Sequence, residues 1–366
     1  MSRRIQAGKE RLQCYLSLAT APSQVKLDGK YMANDGGDPM RVLFIGGTGV
    51  ISSACSELAV QRGINLYLLN RGQSSRPTPA GAKIIQADIR QTEETARALS
   101  GLDFDAVVDW IAYTPEQVQA DIELFRGRTR QYIFISSASV YQKPPRTLPI
   151  TESTPLHNPF WEYSRLKAAC EAVLMDAYRQ EDFPTTIVRP SHTYDRTLFP
   201  FTGGYTQVGR MRAGKPVVVH GDGTSLWTLT NHRDFAVGLV GLLGHPLALG
   251  EAFHITSDEW LSWNQINEIM AEAAGVKPRL VHAPSELIAR YDARWGESLL
   301  GDKSFSALFD NSKIRRLVPE FKPVIPFWQG AREIMAWYDA DPSRQVINSY
   351  VDAAQDQIIQ FLDRRL

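Results

Sequence analysis

The stretch 41–52, Arg-Val-Leu-Phe-Ile-Gly-Gly-Thr-Gly-Val-Ile-Ser, runs an apolar strand into a glycine turn and the turn into a helix. Val42, Leu43, Phe44 and Ile45 make the short continuous apolar run of a strand buried on both faces. Gly46, Gly47 and Gly49, with Thr48 between them, permit a tight turn whose backbone can approach a ligand closely. From Val50 and Ile51 onward the apolar positions follow helical spacing, so a helix N-terminus points its free N–H groups and positive dipole end at the turn. That is a seat for a pyrophosphate. The spacing reads Gly46-x-x-Gly49-x-x-Ser52, and the small Ser52 still lets the helix pack near the strand where a third glycine is usual.

The second strand, 64–69, ends at Asn70 and Arg71, where NAD sites carry an acidic residue for the ribose hydroxyls. Arg71, with Ser74 and Arg76 nearby, suits a 2′-phosphate instead, so the sequence leans to NADP over NAD; the plainer reading of Arg71 is a solvated loop cation. A third strand, 83–87, leads to Asp88 and Ile89, and a helix follows at 92–99. A strand at 105–110 precedes a helix opened by Thr114 as cap and Pro115 in its first turn. A strand at 131–136, a long helix at 161–179 and a strand at 185–189 complete the series. Such alternation predicts an α/β fold, a doubly wound parallel (Rossmann) sheet with right-handed crossovers. Ligands then sit beyond the strand carboxyl ends, which gathers the glycine turn, Asp88, 110–113 and 136–139 along one crevice.

Residues 40–190 thus form the expected dinucleotide-binding domain. Beyond Pro190 the alternation lapses into aromatics, prolines and turns, with helical stretches at 206–213, 234–243, 263–274 and 328–338. We read 191–345 mostly as a smaller C-terminal substrate-binding lobe, with strands returning to the sheet, and 346–366 as a C-terminal helix. Residues 1–39, with six Lys and Arg and no continuous apolar stretch of the kind a secretory signal needs, read as a disordered extension.

At 366 residues and 43% hydrophobic, the chain can bury the core of two lobes. Forty basic residues balance forty acidic ones, so nothing global attracts nucleic acid or an anionic membrane. Cys14, Cys55 and Cys170 are scattered, which fits a reducing cytoplasm, and the seven histidines show no metal-binding spacing. No apolar run approaches the ~20 residues needed to span a bilayer.

Tyr163 and Lys167 stand at i and i+4 on one helix face. A phenol loses its proton near pH ~10. A cation about 4 Å away, at an effective dielectric near 20, stabilises phenolate by up to about 4 kcal/mol, or roughly 3 pH units, which would make Tyr163 a usable base. The helix follows the strand that ends in Ser136-Ser137-Ala138-Ser139-Val140-Tyr141, so Ser137 can orient a substrate oxygen at the same end of the sheet. The plain alternatives are a Tyr packed on a Lys stem and a serine capping the strand end.

Taken together, the glycine turn, Asp88, the segment 136–141, Tyr163 to Lys167, Arg189-Pro190 and the turn Gly221-Asp222-Gly223 through Asp234 resemble the extended short-chain dehydrogenases/reductases of the NAD-dependent epimerase/dehydratase group, across about 41–340. The resemblance implies Tyr163 as general acid/base, Lys167 holding the nicotinamide ribose and Ser137 polarising the reacting oxygen. It implies Asp88 and Ile89 beside the adenine, Pro190 at the cofactor, and a homodimer through helices on the sheet flank. Sugar-nucleotide dehydratases carry an Asp-Glu pair where this chain has Ala138-Ser139, which argues against elimination of water. An arginine for the substrate diphosphate is replaced by Trp227, and an asparagine after the Arg-Pro pair by His192; with Ser139 these are the expected substrate contacts, and Arg196, Arg210 or Arg212 could stand in for the lost cation.

The expectation is hydride transfer between NADP or NAD and a secondary alcohol or ketone of a sugar, sugar nucleotide or related polyol, as an oxidoreductase or epimerase. Two alternatives remain open. One is a cofactor-sensing or RNA-binding protein, since the sequence resembles an atypical branch with chloroplast RNA binders, though neutral charge weighs against RNA. The other is a reductase of a non-sugar ketone, for which Phe199, Phe201, Tyr205, Trp227, Trp260 and Trp263 could supply a flat face or simply pack the core.

Overall fold

A computed structural model describes residues 38–364; residues 1–37 of the expected 1–39 extension, Cys14 among them, lie outside the described residues. Seven strands, β1 (Arg41–Ile45), β2 (Asn65–Asn70), β3 (Lys83–Gln86), β4 (Ala106–Asp109), β5 (Tyr132–Ile135), β6 (Thr185–Pro190) and β7 (Ala252–Ile255), form one sheet. Its order is β7-β6-β5-β4-β1-β2-β3 and every pairing is parallel. Val42 pairs with Leu66 on one side and Ala106 on the other, so β1 lies inside the sheet, next to the central β4, where the winding reverses.

Side chains alternate across the pleat, which sends the apolar runs to two cores. Val42, Phe44, Val108 and Ile133 pack beneath helices α1 (Ser52–Gln61) and, later in the chain, His232–Leu242. Leu43, Ile45, Val107 and Phe134 pack on the opposite face, where α2 (Thr92–Ala98), α3 (Pro115–Phe125) and α4 (Glu162–Glu181) lie; Val118, Cys170 and Leu174 come from the last two. Pro115 opens α3 as expected, but Thr114 makes no side-chain cap bond there. We designate His232–Leu242 α5; it and β7 extend the βαβ pattern past Pro190, with Phe253 and Ile255 fully buried.

The rest of the chain after 190 builds a third apolar cluster that includes Tyr141, Tyr194, Tyr205, Trp227, Trp263 and Phe327. Three short pairings support it, among them parallel His192–Tyr194 with Leu229–Asn231 and antiparallel Leu226–Trp227 with Leu261–Ser262. The terminal helix Ser349–Asp363 is capped by Asn348 and buries Val351, Ala354 and Ile358, while Gln355 Oε1 accepts from the Val218 N–H at 2.9 Å. Among the described residues, no helix is long and apolar enough to cross a membrane.

Candidate active site

The chain leaves β1 towards one face of the sheet and β4 towards the other, which opens a crevice beyond their carboxyl ends. Gly46 (φ +104°) and Gly47 (φ +90°) turn the chain there. A Cβ on Gly47 would lie 2.6 Å from Leu68 Cδ2, so only glycine fits against β2. Ser52 Oγ accepts from the Gly49 N–H at 2.7 Å, and Ser56 Oγ donates to the Gly47 carbonyl at 2.8 Å. Helix α1 is thereby held tight to the turn, with Thr48, Val50 and Ile51 on the approach to its first turn. That first turn has no side-chain cap and no acidic residue, so its donors suit a diphosphate. His232 at the head of α5 lies beside the Val50 main chain, and its Nδ1 is buried and unpartnered among the described residues.

A cavity of about 350 Å³ beside the turn is lined by Gly46, Thr48, Asn70, Arg71, Asp88 and Ile89. Six residues expected to touch a dinucleotide thus share one wall. Ser74 and Arg90 also line it. The expected contribution of Arg76 is corrected: its guanidinium is spent on an ion pair with Asp195 and a 2.5 Å bond to the Thr197 hydroxyl. Arg210 is likewise buried against Asp352 and Asp356, and Arg212 is paired with Asp339, so neither replaces a lost phosphate ligand.

Farther along the rim, β5 ends at Ile135, and Ser137, two residues on, caps a short helical turn and accepts from the Ser139 N–H at 3.2 Å. The capping role and proximity to Tyr163 coexist, because a Ser137 hydrogen bond acts on the Tyr163 phenol. Ser139 is 3% exposed, with its hydroxyl 2.9 Å from Ser137 Oγ and 2.7 Å from Ser164 Oγ. It braces Ser137 from within the core.

Lys167 is buried beneath the rim and donates to the main-chain carbonyls of Ala112 and Ile135, each at 2.7 Å. The Ala112 carbonyl is positioned by Asp109, whose Oδ1 accepts from the N–H groups of Ile111 and Ala112 at 2.7 and 3.1 Å. Burial lowers the Lys167 pKa to about 8 against the opposing pull of Asp109. The expected acidification of Tyr163 by Lys167 is corrected. Burial pushes the phenol up, the Ser137 hydrogen bond pulls it down and Asp302 pushes it up further. The ammonium lies 6.0 Å from the Tyr163 ring centroid, with two carbonyls already taking its protons.

Arg189 and Glu171 form a buried pair, 2.6 Å from Nη2 to Oε2, which also engages Ser136 and the Tyr141 hydroxyl. The two motifs 136–141 and Arg189-Pro190 are therefore one network that fixes the end of β5, with Pro190 closing β6. His192 Nε2 is buried without a partner among the described residues, and burial lowers its pKa to about 3, so it is neutral. Trp227 is 3% exposed and packs on Trp263. Phe199, Tyr205, Trp227 and Trp263 are core residues, and Trp260 is exposed. Sequence reading missed Trp161, whose ring centroid is 5.1 Å from that of Tyr163, and the Asp302 and Lys303 side chains beside it. Trp161 could have been found, two residues before Tyr163; no local pattern marks the other two. Among the described residues, no group of three or more His, Cys, Asp or Glu is placed to hold a metal ion.

The parallel strand order and the glycine turn under a rim cavity define a dinucleotide-binding α/β protein of the extended short-chain dehydrogenase/reductase type. The chain belongs to the NAD dependent epimerase/dehydratase family, whose model matches residues 42–255. It is 25% identical to the 2'-dehydrokanamycin reductase of Streptomyces kanamyceticus over 301 residues, covering 78% of this chain and 81% of that protein. It is 26% identical over 257 residues to the chloroplast stem-loop binding protein of 41 kDa b of Arabidopsis thaliana, covering 66% and 65% respectively. The UDP-glucose 4-epimerase of Thermus thermophilus, solved in complex with NAD, shares the fold with a TM-score of 0.65 at 22% identity, covering 82% of this chain and 99% of that one.

Proposed function

We propose that the protein is an NAD(P)-dependent oxidoreductase or epimerase acting on a secondary alcohol or ketone of a sugar, sugar nucleotide or related polyol. The observation that carries this reading is the Ser137 hydroxyl acting on the Tyr163 phenol, with Lys167 one turn along α4, on the rim shared with the glycine turn. Bound NAD(P) supplies or accepts the hydride. Gly46, Gly47, Gly49 and the first turn of α1 hold its diphosphate, and Asn70, Arg71, Asp88 and Ile89 surround the adenosine. Ser137 hydrogen-bonds the reacting oxygen. Tyr163 gives a proton to that oxygen as carbon gains hydride, or takes it in the reverse direction, so one proton and one hydride convert ketone to alcohol.

A phenol whose pKa is raised stays protonated at neutral pH, which favours the reductive direction. The likeness to a reductase over 78% of the chain supports the same direction. Arg71 and Arg90 in the adenosine cavity, with Asn70 in place of a carboxylate, support NADP over NAD. Elimination of water lacks an acid/base pair after Ser137, where Ala138 and Ser139 are buried. A homodimer through flank helices including α4 belongs to this reading.

Acid denaturation of the purified protein followed by identification of released nucleotide, and the near-ultraviolet absorbance of reduced nicotinamide on adding ring ketones or polyols, test the proposal. Oxidation or reduction of NADP or NAD coupled to such a substrate supports it. A bound oxidised cofactor that is retained through turnover indicates an epimerase. The likeness to the stem-loop binding protein favours one other reading, RNA binding without turnover. A salt-dependent gel shift with no redox change would establish that instead.

A further inference from the structure

Lys303 closes a single π-helical turn, Leu299–Lys303, that lies against the start of α4. The turn is held by two close contacts. Asn158 Nδ2 donates to the Gly301 carbonyl at 2.6 Å and to the Ser139 carbonyl at 2.8 Å, which ties the turn to the segment after β5. A Cβ on Gly301 would lie 2.6 Å from Trp161 Cβ, so glycine is what permits the approach. The Lys303 ammonium then sits over Trp161 and Trp227, 5.7 Å from each ring centroid. Trp161 in turn packs on Tyr163.

Charge at this spot is unbalanced. Asp302 is the nearby carboxylate, and it pairs at 2.9 Å with Lys143, whose side chain is 1% exposed. Among the described residues, Lys303 makes no side-chain hydrogen bond and no ion pair; its side chain is half-buried, with the ammonium against two indole faces. Two ammoniums thus share one carboxylate, a local net charge of +1 beside two indole faces. Indole faces offset part of the lost hydration, and a partly desolvated ammonium without a carboxylate of its own favours an oxyanion. The group is placed to act on what Tyr163 and His192 face, since Asp302 acts on the phenol and Lys303 on the imidazole.

Building on the hydride-transfer reading of this site, we propose that Lys303 is a substrate-specificity residue that binds an oxyanion, a carboxylate or phosphate ester, carried by the substrate close to its reacting carbon. The anion completes the Lys143–Asp302–Lys303 cluster, and the indoles of Trp161 and Trp227 wall the subsite. This accounts for how the site keeps an anchoring cation although Trp227 replaces the arginine and Arg210 and Arg212 are committed elsewhere.

The test is calorimetric titration of the full chain, saturated with oxidised cofactor, with sodium glucuronate, glucose 6-phosphate and glucose. At least one anion is expected to bind about tenfold or more tightly than glucose, the increment typical of a charge-assisted hydrogen bond. Which anion wins separates carboxylate from phosphate. Lys303→Met abolishes the preference and Lys303→Arg retains it; if the Met variant fails to fold, Lys303→Gln takes its place. Equal binding of all three sugars by the wild type, or a preference that survives loss of the ammonium, overturns the proposal. An anion preference in a wild-type protein that shows no redox activity with NADP or NAD removes the hydride reading while leaving the anion subsite standing.

Discussion

The Lys167 ammonium lies 6.0 Å from the centroid of the Tyr163 ring, yet its protons go to the Ala112 and Ile135 carbonyls. The lysine is fixed by β4 and β5 and does not bond the phenol. Ser137, not Lys167, is the group that lowers the phenol's pKa, against burial and Asp302.

Tyr163→Phe removes the proton donor and leaves the glycine turn untouched. Turnover is expected to fall by about 10²–10⁴-fold, the usual range for loss of a general acid, with cofactor affinity nearly unchanged. Steady-state kinetics with fluorescence titration of the cofactor measure both; full activity in the variant would remove Tyr163 from its role.

Lys167 should titrate near pH 8, well below exposed lysines at about 10.4. Its folded pKa is depressed, so between about 8 and 10.5 the unfolded chain binds more protons than the folded one. This residue's contribution therefore makes stability rise with pH across that window, and the gain is lost as pH falls through 8. NMR of ε-carbon-labelled lysines checks the midpoint, and denaturant unfolding of wild type against Lys167→Met checks the slope.

Gly47→Ala forces a Cβ to within 2.6 Å of Leu68 Cδ2 at a φ of +90°. The expected cost is about 1–3 kcal/mol of stability together with weakened dinucleotide binding, because the turn must shift. Urea unfolding midpoints and cofactor titration report the two effects; a variant unchanged in both would contradict the turn geometry.

Glu171→Gln leaves Arg189 buried with a neutral partner in place of its carboxylate. Breaking such a pair costs about 3–5 kcal/mol, whereas Glu171→Leu combined with Arg189→Met should recover much of the loss. A double-mutant cycle by chemical denaturation measures it.

Arg71 lines the cavity beside the glycine turn, whereas Arg76 is paired with Asp195. Arg71→Asp should lower NADP affinity by about tenfold or more and favour NAD, since a carboxylate repels a 2′-phosphate and accepts from ribose hydroxyls. Competitive titration of the two cofactors decides; unchanged preference would end the lean to NADP.

The sequence by itself determined the sheet, the glycine turn and the placement of Ser137, Tyr163 and Lys167 on two successive elements. Apolar runs, period-3.6 faces and glycines are local signals, and local signals specify strands, helices and the turn between them. Tertiary structure alone decided which charged groups remain available. Arg76 meets Asp195 and Arg210 meets Asp352 across more than a hundred residues, and Lys303 comes to Trp161 from the far end of the chain. No window of sequence carries those meetings, because a side chain's partner is set by how distant elements pack, and burial by that packing is what shifts the phenol and the lysine in directions their spacing did not foretell.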